Sequence, residues 1–145
     1  MYAWILSLHV LAATVWTGGH LILSLTILPG VLKNKDIEFI RRFESSYETI
    51  GIPALIIQIF SGLWMAGISL GGRDWFDFSN PVSRLVSYKL LLLFLTFVLA
   101  IDARLRIIPR LNKENLISLA FHIVPVTILS VLYVFLGVLY RYGYL

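Results

Sequence analysis

Four apolar runs divide the sequence, and each is long enough to cross a lipid bilayer. They cover about residues 3–28, 52–70, 85–103 and 116–139, and a helix needs roughly 20 apolar residues to span a hydrocarbon core of about 30 Å. Only 14% of the residues are charged, against about a quarter in soluble domains. The sequence therefore predicts an all-α integral membrane four-helix bundle, with residues 1–145 as one domain.

The basic residues of the connections predict the orientation of this bundle. Connections 29–51 and 104–115 each carry four Lys or Arg residues, whereas the opposite side carries Arg73, Arg84 and Arg141. Basic residues are enriched on the cytoplasmic side of membranes. We therefore expect both termini on the outer, periplasmic side of a bacterial-type inner (plasma) membrane. The first span lacks a basic leader and a cleavage site, so we expect it to remain in the bundle.

The two longer connections carry different signals. Segment 29–51 mixes both charge signs with apolar residues, which favours either a helix on the cytoplasmic surface or an extension of the second helix. The outer connection combines turn residues with Trp75, Phe76 and Phe78, which predicts a loop anchored at the membrane interface. The net charge of +4 lies at the span ends, so it indicates lipid headgroups and no nucleic acid.

Several kinds of chemistry are excluded. The chain has no cysteine, which rules out disulfides, zinc–thiolate sites and iron–sulfur clusters. It also has no P-loop, dinucleotide-binding glycine pattern, nucleophile elbow or HExxH motif. Function must therefore rest on the few polar residues within the spans.

These polar residues fall at two depths, because a helix advances about 1.5 Å per residue. They form an outer layer of His9, Met65, Lys89 and Tyr133 and an inner layer of His20, Gln58 and His122. The two histidines of the first span are 11 residues apart and share one helix face, with Trp16 near the same stripe. The adjacent Gly18 and Gly19 leave room for a close helix contact or a flat cofactor.

Histidines inside a membrane are costly and indicate a functional site. Three of them on converging faces predict the axial ligands of b-type haem, one or two per chain. His20 and His122 would hold an inner haem, and His9 would hold a second haem or a substrate. The second outer ligand would be Met65, Tyr133, Lys89 or an open position. Lys89 would pair with a haem propionate or an anionic substrate group.

Such a protein would transfer electrons or carry out haem-linked redox chemistry, with quinol or another donor as partner. Whether it is an enzyme, as a membrane oxidoreductase, stays open. The alternative is that the histidines only form hydrogen bonds between helices, that Lys89 extends to the interface, and that Met65 and Tyr133 only pack. The bundle would then be a partner subunit without a cofactor. Homo-oligomer formation also stays open.

Two stretches resemble a known family. LHVLAATVWTGGHLILSLTILP is similar to the L-H-x-x-A-x-x-x-W-x-G-G pattern of the copper resistance protein D family, and KLLLLFLTFVLAIDARLRIIPRL resembles its third helix. This resemblance implies a membrane component of copper transport or resistance, with copper as the alternative to haem. Cu(I) prefers thiolate and thioether ligands, and the chain offers only Met1 and Met65. The residue chemistry therefore favours haem.

The same landmarks also resemble the HemJ-type protoporphyrinogen oxidases. The shared features are a histidine seven residues before a tryptophan in the first helix and a Lys-Leu-Leu-Leu start to the third. This resemblance implies that His9 is a haem ligand and that Lys89 is required for activity. Porphyrinogen oxidation is thus a further alternative.

Overall fold

The computed structural model describes residues 1–72 and 74–143, and over these residues the chain forms helices and short connections with no strand. Four helical stretches are long and apolar enough to cross a membrane. The predicted all-α membrane bundle is thereby confirmed. Arg73, which entered the prediction of orientation, lies outside the described residues.

The first membrane helix is continuous over Tyr2–Asn34. It consists of α1 (Tyr2–Ile22), a π-helical turn (Leu23–Ile27) and α2 (Leu28–Asn34). It ends at Lys35, whose φ of 53° lies in the left-handed region. The predicted first span therefore continues past residue 28 into the first connection.

The second membrane helix, α3 (Ile37–Leu70), begins only two residues later. Asp36 caps it, since its side chain accepts a hydrogen bond from the Phe39 amide at 3.0 Å. Its 34 residues correspond to about 50 Å of helix, well beyond the hydrocarbon thickness. Of the two possibilities for segment 29–51, the structure therefore shows the extension of the second helix.

The third and fourth membrane helices form the second half of the bundle. Asn80 caps α4 (Pro81–Asp102), which continues through a π-helical turn (Ala103–Ile107) and one 3-10 turn (Ile108–Arg110). The last helix, α5, covers Leu116–Arg141. We call the end with Met1, the α3–α4 loop and the end of α5 the terminal end, and the other the connecting end.

The first two membrane helices form one half of the bundle and the last two form the other. The first helix of each half contains a π-helical turn at the corresponding position. The π-helical turns Leu23–Ile27 and Ala103–Ile107 are 80 residues apart, as are Pro29 and Pro109 two residues beyond them. A proline cannot donate to the carbonyl four residues before it and clashes with that carbonyl. In both halves this carbonyl lies inside the π-helical turn, whose wider backbone accommodates the ring. The two helix pairs thus repeat one structural pattern.

A hydrophobic core lies at the connecting end. A cluster of buried apolar side chains joins α2, α3, α5 and the π-helical turn there, and Ile40 at its centre is 0% exposed. Toward the terminal end, α1 packs mainly on α3 and α4 mainly on α5, while α3 and α4 touch sparsely. The halves therefore separate toward the terminal end and leave space between them.

Candidate functional site

A cavity of about 800 Å³ lies between the four membrane helices in the terminal half. Along α1 its wall extends from Leu6 to Gly18, and along α5 from Ser130 to Arg141. Twelve residues of helix correspond to a depth of about 18 Å. Most of the wall is apolar, so the few polar side chains on it define its chemistry.

His9 contributes an imidazole to this wall. Its Nδ1 lies 2.8 Å from Ser61 Oγ, and the Ser61 hydroxyl donates to the Ile57 carbonyl at 2.5 Å. Because a serine has one hydrogen to donate, Ser61 accepts from His9, which places the imidazole hydrogen on Nδ1. A Cβ at Gly62 would lie 3.1 Å from His9 Cε1, so this glycine provides the room for the ring.

Lys89 lies on the wall formed by α4, and Tyr133 faces it from α5. The Tyr133 hydroxyl donates to the Lys89 carbonyl at 3.0 Å. A Cβ at Gly137 would lie 3.8 Å from Lys89 Nζ, so the ammonium group points toward this glycine. Lys89, Tyr133 and Gly137 all line the cavity.

His9 and Lys89 occupy corresponding positions in the two halves. They are 80 residues apart, the spacing of the π-helical turns. Their hydrogen-bond partners Ser61 and Tyr133 are 72 residues apart, the same as the prolines within α3 and α5. The cavity therefore lies between two related helix pairs, one presenting an imidazole and the other an ammonium group.

Gln58 and Met65 do not follow the predicted division into an outer and an inner layer. Gln58 was assigned to the inner layer, yet it lines the same cavity as His9, and its Oε1 is buried without a hydrogen-bond partner. Trp16 also lines the cavity, whereas Met65 of the outer layer does not. Rotation about the α3 axis thus places Gln58 on the cavity wall and Met65 off it.

His20 is buried beside the cavity and is held in place by contacts with Trp16 and Tyr47. Its Nδ1 lies 2.9 Å from the Trp16 carbonyl, and its ring packs on Trp16 with centroids 4.4 Å apart. Tyr47 from α3 packs edge-on against it at 5.6 Å and donates its hydroxyl hydrogen to the same carbonyl at 3.1 Å. Tyr47 was not identified from the sequence, since a tyrosine in a mixed-charge segment carries no distinctive signal.

His122 joins α5 to the end of α4. Its Nδ1 lies 2.7 Å from the Ser118 carbonyl, and its Nε2 lies 2.8 Å from Asp102 Oδ2. Asp102 also pairs with Arg106 at 3.1 Å. Neither nitrogen of His122 is available to a metal while these hydrogen bonds stand. The structure therefore does not bring His20 and His122 to one open site.

These residues do not form a site that would hold a metal ion permanently. Within residues 1–72 and 74–143, no group of three His, Cys, Asp or Glu side chains could hold a metal ion. His9 is the one histidine among the residues that line the cavity, so a haem there would have a single imidazole. These positions do not reproduce a copper centre or a haem with two histidine ligands.

Comparison with protein families identifies the family of this chain. The model of the family "Copper resistance protein D" matches residues 39–140, more than half of the chain. The chain belongs to the copper resistance protein D family. The predicted family is thereby confirmed. The match extends from α3 to the last turn of α5, so it includes the third-helix stretch, whereas the first-helix stretch lies before it. No curated protein and no solved structure matches the chain.

Proposed function

We propose that this member of the copper resistance protein D family is a membrane component of copper transport or copper resistance, and that copper is its cargo. The family match over residues 39–140 carries this proposal. Within the described residues no group of three potential ligands could hold a metal ion permanently. This agrees with copper as a transported ion. Transport requires binding strong enough to admit an ion and weak enough to release it.

His9 is the residue that we propose contacts copper. Imidazole is a good copper ligand, and the hydrogen bond to Ser61 holds the His9 ring in one orientation at the cavity wall. Thioether ligands are absent from the cavity wall, because neither Met1 nor Met65 lines it. A single imidazole gives the weak, reversible contact that a transported ion needs.

Copper handling by cells tests this proposal. We expect cells that express the protein to differ from empty-vector cells in copper tolerance and in copper content measured by elemental analysis. His9→Ala should reduce this difference about tenfold, the effect of losing about 1.4 kcal/mol of binding free energy. Leu8→Ala is the matched control, since Leu8 is exposed on the same helix and lies off the cavity wall. Equal copper content in expressing and empty-vector cells would refute the proposal.

We also propose the orientation with both termini outside the inner membrane, supported by the eight basic residues in the connections 29–51 and 104–115. Because the chain has no cysteine, single cysteines report sidedness directly. A membrane-impermeant maleimide added to intact spheroplasts should label Ser79→Cys and leave Glu114→Cys unlabelled until the membrane is opened. The reverse pattern would invert the proposed orientation.

The b-type haem, electron transfer, the quinol donor and porphyrinogen oxidation stay predictions from the sequence alone. Neither the family match nor the geometry of His20 and His122 supports them. The absorption spectrum of the purified protein tests haem, because a bound haem gives a Soret band. Homo-oligomer formation likewise stays a prediction.

A further inference from the structure

We propose that the cavity is a binding site for an amphiphilic anion, a molecule with a negatively charged head and an apolar body. This goes beyond the copper proposal and does not depend on it. The inference rests on the charges of the cavity wall, on its apolar surface and on its place between the two halves.

The charged side chains on the wall all have the same sign. Lys89 and Arg141 line the cavity, and no Asp or Glu does. Across the residues that the structure describes, no carboxylate lies within 4.0 Å of Lys89 Nζ. An ammonium group within an apolar wall is unfavourable unless an opposite charge accompanies it. The charge that this cavity lacks is negative.

The head of the anion has space beside Lys89. Gly137 leaves the region next to Nζ open, since a Cβ there would already lie 3.8 Å from Nζ. Arg141 lies about one helical turn farther toward the terminal end. An anionic head beside Gly137 would pair with the Lys89 ammonium group, with the exposed Arg141 at the mouth of the cavity.

The rest of the cavity suits an apolar body. Its volume of about 800 Å³ lies within the usual range of roughly 300–1,000 Å³ for ligand sites. Below Lys89 the wall is mainly apolar, down to Trp16 and Thr96. Gln58 and His9 are among the few polar residues on this part of the wall. A small inorganic anion would leave this space unfilled.

The position between the two helix pairs supports a binding site. Membrane proteins built from structural repeats place their substrate sites at the repeat interface, near the middle of the membrane. Here the corresponding positions His9 and Lys89 meet the same cavity. The difference between them makes the site asymmetric, so that the anionic head has one preferred side, that of Lys89.

Quenching of Trp16 fluorescence by a brominated fatty acid tests the proposal. The protein is placed in phosphatidylcholine nanodiscs with a chelator and no copper, and 9,10-dibromostearate is titrated. Subtracting the signal of Trp16→Phe isolates Trp16 from the exposed Trp4 and the other tryptophans. We expect saturable quenching of Trp16 by the acid, and only linear, unsaturable quenching by its uncharged methyl ester.

Two variants assign the binding to the cavity. Lys89→Gln should weaken the binding of dibromostearate about tenfold, while Lys113→Gln, which alters an exposed lysine off the cavity wall, should leave it unchanged. Gly137→Leu keeps the ammonium group and fills the space beside it, so it should also block binding. This second variant keeps the test decisive if Lys89→Gln does not fold.

The same chemistry is present in free fatty acids and in anionic membrane lipids, and competition separates these sources. If unlabelled phosphatidylglycerol in the nanodisc displaces dibromostearate, the ligand is a lipid; if it does not, a free amphiphilic acid is the ligand. Equal quenching of Trp16 by the acid and the ester would overturn the proposal. Unchanged binding to folded Gly137→Leu would do so as well. Because copper is absent, neither result bears on copper handling.

Discussion

Gly19→Ala lowers the melting temperature of the purified bundle by on the order of 10 °C, which is the largest effect that we expect from a single methyl group in this protein. The added Cβ would overlap the ring of Tyr47, at Cε2, Cζ and Oη. That ring has little room to retreat, because on its other side it lies so close to Gly51 that a Cβ added there would be only 2.9 Å from it. It is also stacked on Phe43 with centroids 5.9 Å apart.

The energetic cost of this substitution has two sources. Overpacking in a well-packed interior costs about 1–3 kcal/mol, and displacing Tyr47 breaks its hydrogen bond to the Trp16 carbonyl, a further loss of about 1 kcal/mol. Together these amount to about 2–4 kcal/mol, which corresponds to a shift on the order of 10 °C in a domain of this size. The measurement is loss of tryptophan fluorescence on heating in detergent.

Gly18→Ala is the matched control for this prediction. It adds the same methyl group one residue earlier, where no heavy atom lies within 4 Å of the new Cβ. Its effect on helix propensity is the same as that of Gly19→Ala, so it isolates the contact with Tyr47. We expect an unchanged or slightly raised melting temperature. Equal melting temperatures for the two variants would show that α1 and α3 do not pack as described.

Asp102→Ala has the second largest expected effect. It removes the oxygen that lies 2.8 Å from His122 Nε2 and leaves that ring nitrogen in the interface between α4 and α5 with no partner. The His122 side chain is only 16% exposed, so water cannot replace the lost contact fully. An unsatisfied buried polar group costs about 1–3 kcal/mol. We expect a loss of this size in the free energy of unfolding in mixed micelles.

Arg106→Gln separates the two interactions of Asp102. It breaks the other pair of the carboxylate, Arg106 to Asp102 at 3.1 Å, in which the arginine side chain is 80% exposed. Exposed pairs contribute about 0–1 kcal/mol, so this variant should be nearly as stable as the wild-type protein. If Arg106→Gln destabilises the bundle as much as Asp102→Ala does, the hydrogen bond to His122 is not the main contribution.

The candidate site shows what a helix pattern can and cannot predict. His9, Lys89 and Tyr133 were placed at one depth from the sequence, and all three line the cavity. Depth follows from residue count along a helix, which is fixed at about 1.5 Å per residue. Whether these residues bind copper or another ligand stays a proposal.

Rotation of the helices was less predictable. Gln58 lies on the cavity wall with His9, whereas the sequence grouped it with His20, which does not line the cavity. Met65 lies off the wall. Rotation depends on which face packs against which neighbour, and an apolar helix whose sides all tolerate lipid carries a weak signal for this. The contact of Gly19 with Tyr47 fixes the rotation of α1 against α3.

The sequence by itself determined the four membrane helices, because the bilayer fixes the length of apolar chain that crosses it. The stretches in the first and third helices also indicated the copper resistance protein D family. Only the tertiary structure decided that His122 pairs with Asp102 and that His9 and Lys89 share one cavity. The physical reason is that these contacts join residues distant in sequence, and side-chain packing between helices selects them.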